Sequence, residues 1–253
     1  MTPAAFKRSI RDRQVWCSSC MVAFSGAEPI GVLIGAKRPS GTLIHTIAVH
    51  PDHRRQGHGR HLLTSLSSKL AILGPPRMVA EVSENLAPTH ALFVACGYVQ
   101  EALLTDYVLD RDAGVGENAP GMFLFPVTID DLVANGLLGE EHPRVCWERS
   151  VETLTARKDE IAGLAIASDE RIEAYVLYLG GEADRTEIVS LRSFVEDGGA
   201  RLTQLFSQLR AQRPGAFRFP KVHPAEISLE LLESLGFRPA GAHLLYGAAA
   251  RSA

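Results

Sequence analysis

Arg54, Arg55, Gln56, Gly57, His58, Gly59 and Arg60 set three guanidinium groups and two glycines between an apolar run and a helical one. Glycine reaches positive φ and lets a ligand come close to the backbone. The first N–H groups of a new helix have no partner inside it and point outward. The helix dipole favours an anion at that end by roughly 0.3–1 kcal/mol per charge. Arg54, Arg55 and Arg60 add cations at the same place. The chemistry that fits is the cradling of a phosphate or pyrophosphate. Two common cradles do not match: no Gly-Lys-Ser/Thr ending follows, and the glycine spacing is not that of the dinucleotide fingerprint.

Such a loop must be held by a strand before it and a helix after it. Ile44–Val49 is an apolar run bounded by Pro51, which predicts a buried strand. From His61 onward, Leu62, Leu63, Leu66 and Leu70 recur at helical spacing. Upstream, Phe6–Trp16 reads as a basic helix, and Cys20–Phe24 and Ile30–Ala36 as a hairpin turning through Ser25–Pro29. Lys37–Gly41 is a second turn. Downstream, Met78–Val82 is a strand, Pro88–Cys96 a short helix with Gly97 as its cap, and Leu103–Leu109 a last strand.

The order Val49-His50-Pro51-Asp52-His53-Arg54-Arg55-Gln56-Gly57-His58-Gly59, behind a strand and ahead of a helix, resembles the signature of the GNAT superfamily of acyl-CoA-dependent N-acetyltransferases. Ala91-Leu92-Phe93-Val94-Ala95-Cys96-Gly97-Tyr98 is similar to that family's helix reading Ala-Leu-Tyr-Glu-Lys-Leu-Gly-Phe. The resemblance implies transfer of an acetyl group from acetyl-CoA to a primary amine of a small molecule or peptide. His50, His53, His58 and His61 have no carboxylate or cysteine with them at ligand spacing, so no metal is expected. The resemblance also implies pyrophosphate binding by Arg54, Arg55, Gln56, Gly57, His58, Gly59 and Arg60. The pantetheine arm would lie on Ile47, Ala48 and Val49, where the family's central strand parts from its neighbour. Asn85 resembles a CoA-contacting asparagine but falls one residue early. Phe93 stands where the family often carries the tyrosine that protonates the departing thiolate, so that acid is absent from its usual place.

An amine protonated at neutral pH must lose a proton before it attacks a thioester. The family often puts a glutamate early in the central strand, near Leu43 here. His45, two residues on, and Glu81, on the next strand, are the two candidate bases, with a water relay as the alternative. Tyr98 and Tyr107 are further possible proton donors.

The second half repeats the plan. Met122–Val127 opens it, Thr128 caps a helix, Glu160–Ala167 and Ile172–Leu179 form a hairpin, and Ile188–Leu191 is a short strand. A helix over Leu202–Leu209 follows Val195–Ala200, and Leu231–Phe237 copies the helix that ended at Tyr98. Gly198 would take the place of Gly57, but Glu196 and Asp197 replace the cations, and like charges repel a diphosphate. The expected fold is therefore α+β: two tandem GNAT-like domains, each a mixed, mostly antiparallel twisted sheet flanked by helices. The expected boundaries are residues 1–113 with the intact cradle, a linker at 114–120, and a degenerate copy at 121–253. The first half lacks the family's opening strand, so either the natural start lies upstream or another segment covers that sheet edge.

Composition sets bounds on partners. A formal net charge of −3 in 253 residues argues against general nucleic-acid or membrane binding. The N-terminus lacks the apolar core of a signal peptide. Four cysteines suggest a reducing, cytoplasmic setting, and Cys17 and Cys20 form a lone C-x-x-C without a second pair. A monomer or homodimer is expected. The alternative function is a CoA or acyl-CoA sensor without turnover.

Overall fold

The computed structural model describes residues 2–111, 123–138, 145–180 and 185–251. The expected linker, 114–120, lies outside them. The chain forms two compact units: Met1–Leu103 together with His243–Ala253, and Leu104–Ala242. Among the described residues no helix is long and apolar enough to cross a membrane.

The first unit opens with α1 (Pro3–Arg13), shorter at its C-terminal end than the sequence suggested. Gln14 breaks it by taking a φ of 57°, and Val15 then bridges to Ala36. β1 (Met21–Ser25) and β2 (Glu28–Arg38) are an antiparallel pair turning at Gly26, whose φ of 60° suits glycine. β3 (Gly41–Val49) returns against β2 through Pro39 and Ser40, starting three residues earlier than the apolar run indicated. α2 (His58–Leu73) buries Leu62, Leu63, Leu66 and Leu70 in one stripe. Each such side chain contributes roughly 1.5–3 kcal/mol of burial. The helix stops at Gly74, whose N–H bonds Leu70 C=O at 2.7 Å. β4 (Arg77–Ser83) and α3 (Ala87–Ala95) follow, and β5 (Val99–Leu109) carries the chain into the second unit.

That unit holds β6 (Phe123–Pro126), α4 (Ile129–Ala134), α5 (Val151–Ala156), β7 (Ile161–Ala167), β8 (Ile172–Gly180), β9 (Arg185–Ser193), α6 (Ala200–Gln212), β10 (Ala216–Val222) and α7 (Leu229–Ser234). α4 starts in a capping box between Thr128 and Asp131, as the sequence pattern predicts. The strand order is β5-β10-β9-β8-β7-β6, antiparallel except for the β9–β10 pair. The last strand, β11 (Arg238–Ala249), starts in this unit and ends in the first.

The first unit's sheet is ordered β1-β2-β3-β4-β11, with β3 and β4 parallel and the other pairs antiparallel. Its edge beyond β4 is therefore completed by the chain's C-terminal segment, and Tyr246 from that segment sits in the core with Leu63, Leu66, Met78 and Phe93. β10 and β11 are additions to the sequence reading. β10 hides behind Pro220 and a positive φ at Lys221, and β11 is diluted by Gly241, Gly247 and the alanines around them. Both sheets are mixed, mostly antiparallel and packed by helices, as an α+β tandem requires.

Candidate active site

The site begins where β3 and β4 part. Their parallel ladder has rungs only at Thr42–Met78 and Leu43–Val79. Past those, β3 pairs through Ile47, Ala48 and Val49 with Leu33, Val32 and Gly31 of β2, while its other edge has no rung to β4. A bulge falls at His45: Thr46 opposes Ile34 and Ile44 opposes Gly35. Ile44 and Ile47 both reach the same core although they are three apart, a spacing that strict alternation forbids. The extra residue at the bulge reconciles the two. The result is a wedge whose β3 wall presents free backbone over the three residues the sequence assigned to the pantetheine arm.

The cradle follows on the same piece of chain. Pro51–His53 makes one 3₁₀ turn. Arg54 Nε donates to Val49 C=O at 3.1 Å and Gln56 Nε2 to Asp52 C=O at 3.0 Å, so these side chains stitch the loop to itself. Arg55 has a φ of 65° and Gly57, which caps α2, a φ of 90°. The first helical bond runs from His61 N–H to Gly57 C=O at 2.9 Å. The N–H groups of His58, Gly59 and Arg60 thus have no acceptor inside the helix. The two glycines serve different ends. A Cβ on Gly57 would meet open space, so that position is about backbone conformation; a Cβ on Gly59 would lie 3.0 Å from Leu92 Cδ2, so that one lets α3 approach α2. The rings of His50, His53 and His58 lie edge to face in a row, with centroids 6.0 and 6.1 Å apart.

His45 and Glu81 are both half-buried and stand on the two strands that diverge. Glu81 pairs with Leu245 of β11, next to Ala80, which pairs with Tyr246 and faces the helix-covered core. Alternation puts Glu81 on the opposite face. Asn85 is exposed in the turn after β4. Phe93 is 1 % exposed, edge-on to Tyr98 at 4.9 Å and stacked on Tyr246 at 5.8 Å. The structure therefore gathers Ile47 through Arg60 into one strand-turn-helix, puts Phe93 in the core cluster that Ile47 packs against, and leaves Asn85 on the surface. Tyr98 is buried with its hydroxyl directed at Met78 Sδ, 3.6 Å away, and burial pushes its phenol well above the ordinary range, with Cys96 adding to the rise. Burial likewise pushes up the Cys96 thiol, against the pull of the Arg60 guanidinium beside it.

Sequence reasoning missed His90 and Tyr246. His90 Nε2 lies 3.1 Å from Ser83 C=O and its Nδ1 3.1 Å from the Tyr246 hydroxyl. The Leu244-Leu245-Tyr246 run was the available signal for the strand that brings Tyr246 there.

The second unit has the same parts, filled by its own side chains. Among the described residues, β9 and β10 pair in parallel at Ala216–Arg185, Phe217–Thr186 and Arg218–Glu187. Gly199, one residue beyond Gly198, caps α6 with a φ of 86°, as Gly57 caps α2. The Asp197 carboxylate accepts the N–H groups of Gly199 and Arg201 at 3.0 Å each. It also takes the Arg201 guanidinium at 2.8 Å, and Arg201 bonds Glu173 as well. Burial acts to raise the Asp197 pKa, but these bonds outweigh it and hold the carboxyl below the ordinary range. Just past the last β9–β10 rung, the buried Arg149 donates to the carbonyls of Pro220 and Lys221 and forms a double bond pair with Glu226 at 2.9 and 2.6 Å. The sequence suggested that acidic residues merely repel an anion here; the geometry shows one of them seated on the amides.

Comparisons with known proteins agree with this arrangement. Residues 3–98 match the Acetyltransferase (GNAT) family. No curated protein matches the chain in sequence. In fold it is similar to a tandem GNAT protein from the clavulanic acid biosynthesis pathway, at 17 % identity and TM-score 0.66, over 97 % of this chain and 88 % of that one. It is also similar to a GCN5-related N-acetyltransferase from Sphaerobacter thermophilus, at 14 % identity and TM-score 0.67, over 92 % and 81 % of the two chains. A putative acetyltransferase from Pyrococcus horikoshii matches at 15 % identity and TM-score 0.62, over 98 % and 78 %.

Proposed function

We propose that this chain, whose residues 3–98 match the GNAT family and whose fold is similar to that of a tandem GNAT protein, is an N-acyltransferase moving an acetyl group from acetyl-CoA to a primary amine of a small molecule or peptide. The first unit does the work. One observation carries the reading: the parted strand β3 and the amide nest at Gly57–Arg60 lie on a single strand-turn-helix, so a pantetheine arm and its diphosphate meet free backbone in sequence. The diphosphate takes the N–H groups of His58, Gly59 and Arg60, and Arg55 and Arg60 supply cations. The amine enters from the face bearing Glu81, which, with His45 at the bulge, is the source of the base. Backbone along Ile47–Val49 steadies the charge that gathers on the thioester oxygen. The second unit is a degenerate copy whose nest Asp197 occupies. Cys17, Cys20, Cys96 and Cys146 form no disulfide, which fits a reducing cytoplasm.

A second reading, an acyl-CoA sensor without turnover, draws on Phe93: the position carries no hydroxyl and its ring is closed in the core. Titration with acetyl-CoA followed by thiol release across an amine panel separates the two. Release with any amine supports the enzyme; binding without release supports the sensor.

A further inference from the structure

Phe93, which stands where the resemblance would place an acid, is stacked on Tyr246. We propose that the Tyr246 hydroxyl, held by His90, protonates the departing thiolate. This rests on the acyltransferase reading above.

Tyr246 is 3 % exposed and its ring stacks on Phe93 at 5.8 Å with an interplanar angle of 14°. Its ring therefore lies beside the position where the family pattern would have carried a tyrosine. Its Cα partner is Ala80, the first residue of β4 beyond the last rung to β3. At the level where the wedge opens, β4 thus presents only a methyl group on that face, between β11 and the wedge. His90 fixes the hydroxyl. The Ser83 carbonyl can only accept, so His90 Nε2 carries a hydrogen and donates to it at 3.1 Å. In the neutral ring Nδ1 is then a lone pair facing the Tyr246 oxygen at 3.1 Å. Ser83 ends β4, so the backbone of the wedge's own wall sets the tautomer and the direction of the tyrosine.

The step balances. The amine nitrogen bonds the acetyl carbon and gives one proton to the base. The C–S bond then breaks and its electron pair leaves on sulfur. The Tyr246 O–H turns from His90 Nδ1 to the sulfur and transfers its proton, leaving a phenolate. The proton taken by the base returns through water to that phenolate. The products are an acetamide and free CoA thiol. Tyr246 is a catalytic residue in this scheme and His90 a positioning residue.

Two measurements on the full chain test it. The first needs no acceptor: calorimetric titration with CoA and with desulfo-CoA. Wild type is expected to bind CoA several-fold more tightly, and Tyr246→Phe to bind both as wild type binds desulfo-CoA. A Tyr246→Phe protein that keeps the wild-type ratio, or a wild type that shows none, overturns the proposal while leaving the cradle reading in place. A wild type that binds neither overturns both. The second is turnover with whichever amine gives thiol release. Tyr246→Phe should lower kcat by roughly 10²-fold or more with KM for acetyl-CoA unchanged. His90→Ala should do the same in part, and His90→Gln, which keeps a donor and an acceptor, should recover. A kcat for Tyr246→Phe within about twofold of wild type, in a protein of wild-type melting temperature, contradicts the assignment.

Discussion

The carboxylate of Asp197 accepts the backbone N–H of Arg201 at 3.0 Å and the guanidinium of the same residue at 2.8 Å. The first turn of α6 is thereby capped by an anion belonging to the chain itself. Asp197→Ala should cost about 1–2 kcal/mol, the usual loss for a helix cap, read as a lower melting temperature. It should also expose two amides, so phosphate or CoA at millimolar concentration should bind the variant's second unit weakly and the wild type's not at all.

The pH dependence follows from the direction of the shift. Asp197 has a depressed folded pKa, so its contribution is present above the unfolded value near 3.9 and is lost as pH falls through the lower, folded value. Wild type should therefore lose stability in acid more steeply than Asp197→Asn, and the two melting curves should converge once the pH is below that folded value. Parallel curves down to that pH would contradict the capping role.

Arg149 and Glu226 form a buried ion pair, with Arg149 also holding the carbonyls of Pro220 and Lys221. Removing one partner leaves a buried charge without compensation, which costs roughly 3–5 kcal/mol. Arg149→Met should be strongly destabilising, and Arg149→Met with Glu226→Gln less so than the sum of the single changes. Denaturant midpoints of the four proteins in the cycle check this.

Much of the site is legible along the chain because it is contiguous. The strand, the loop and the helix start from Ile44 to Leu63 are adjacent in sequence, and apolar spacing with two glycines is enough to place them. The parts that escaped are those made by distant pairing. His90 and Tyr246 are 156 positions apart, and the strand carrying Tyr246 is rich in glycine and alanine, which carry little β signal. The bulge at His45 left a trace only in the odd spacing of Ile44 and Ile47. Asp197 was visible as a charge, but whether it faced a ligand or the amides behind it depended on two positive-φ glycines, Gly198 and Gly199.

Gly57 and Gly59 should respond differently to alanine. Gly57→Ala forces a side chain into the left-handed region, at a cost of about 1–2 kcal/mol, and disturbs the nest directly. Gly59→Ala pushes a methyl group towards Leu92 and should destabilise by about 1 kcal/mol, relieved by Leu92→Ala. Melting temperatures separate the two, since relief by a change at Leu92 is expected only for Gly59.

Arg60 links the cradle to a cysteine. Its guanidinium opposes the burial that raises the Cys96 pKa, so Arg60→Ala should raise that pKa further. Alkylation of Cys96 near neutral pH should slow in the variant, while the exposed Cys17 reacts as before. Peptide mapping after a timed iodoacetamide pulse reads both rates.

The most direct test of the whole account is the stoichiometry of CoA binding by calorimetry, in wild type and in Gly57→Asp. One CoA per chain is expected, lost when a carboxylate is placed at the first nest. Two sites per chain, or a single site that Gly57→Asp leaves untouched, would contradict it.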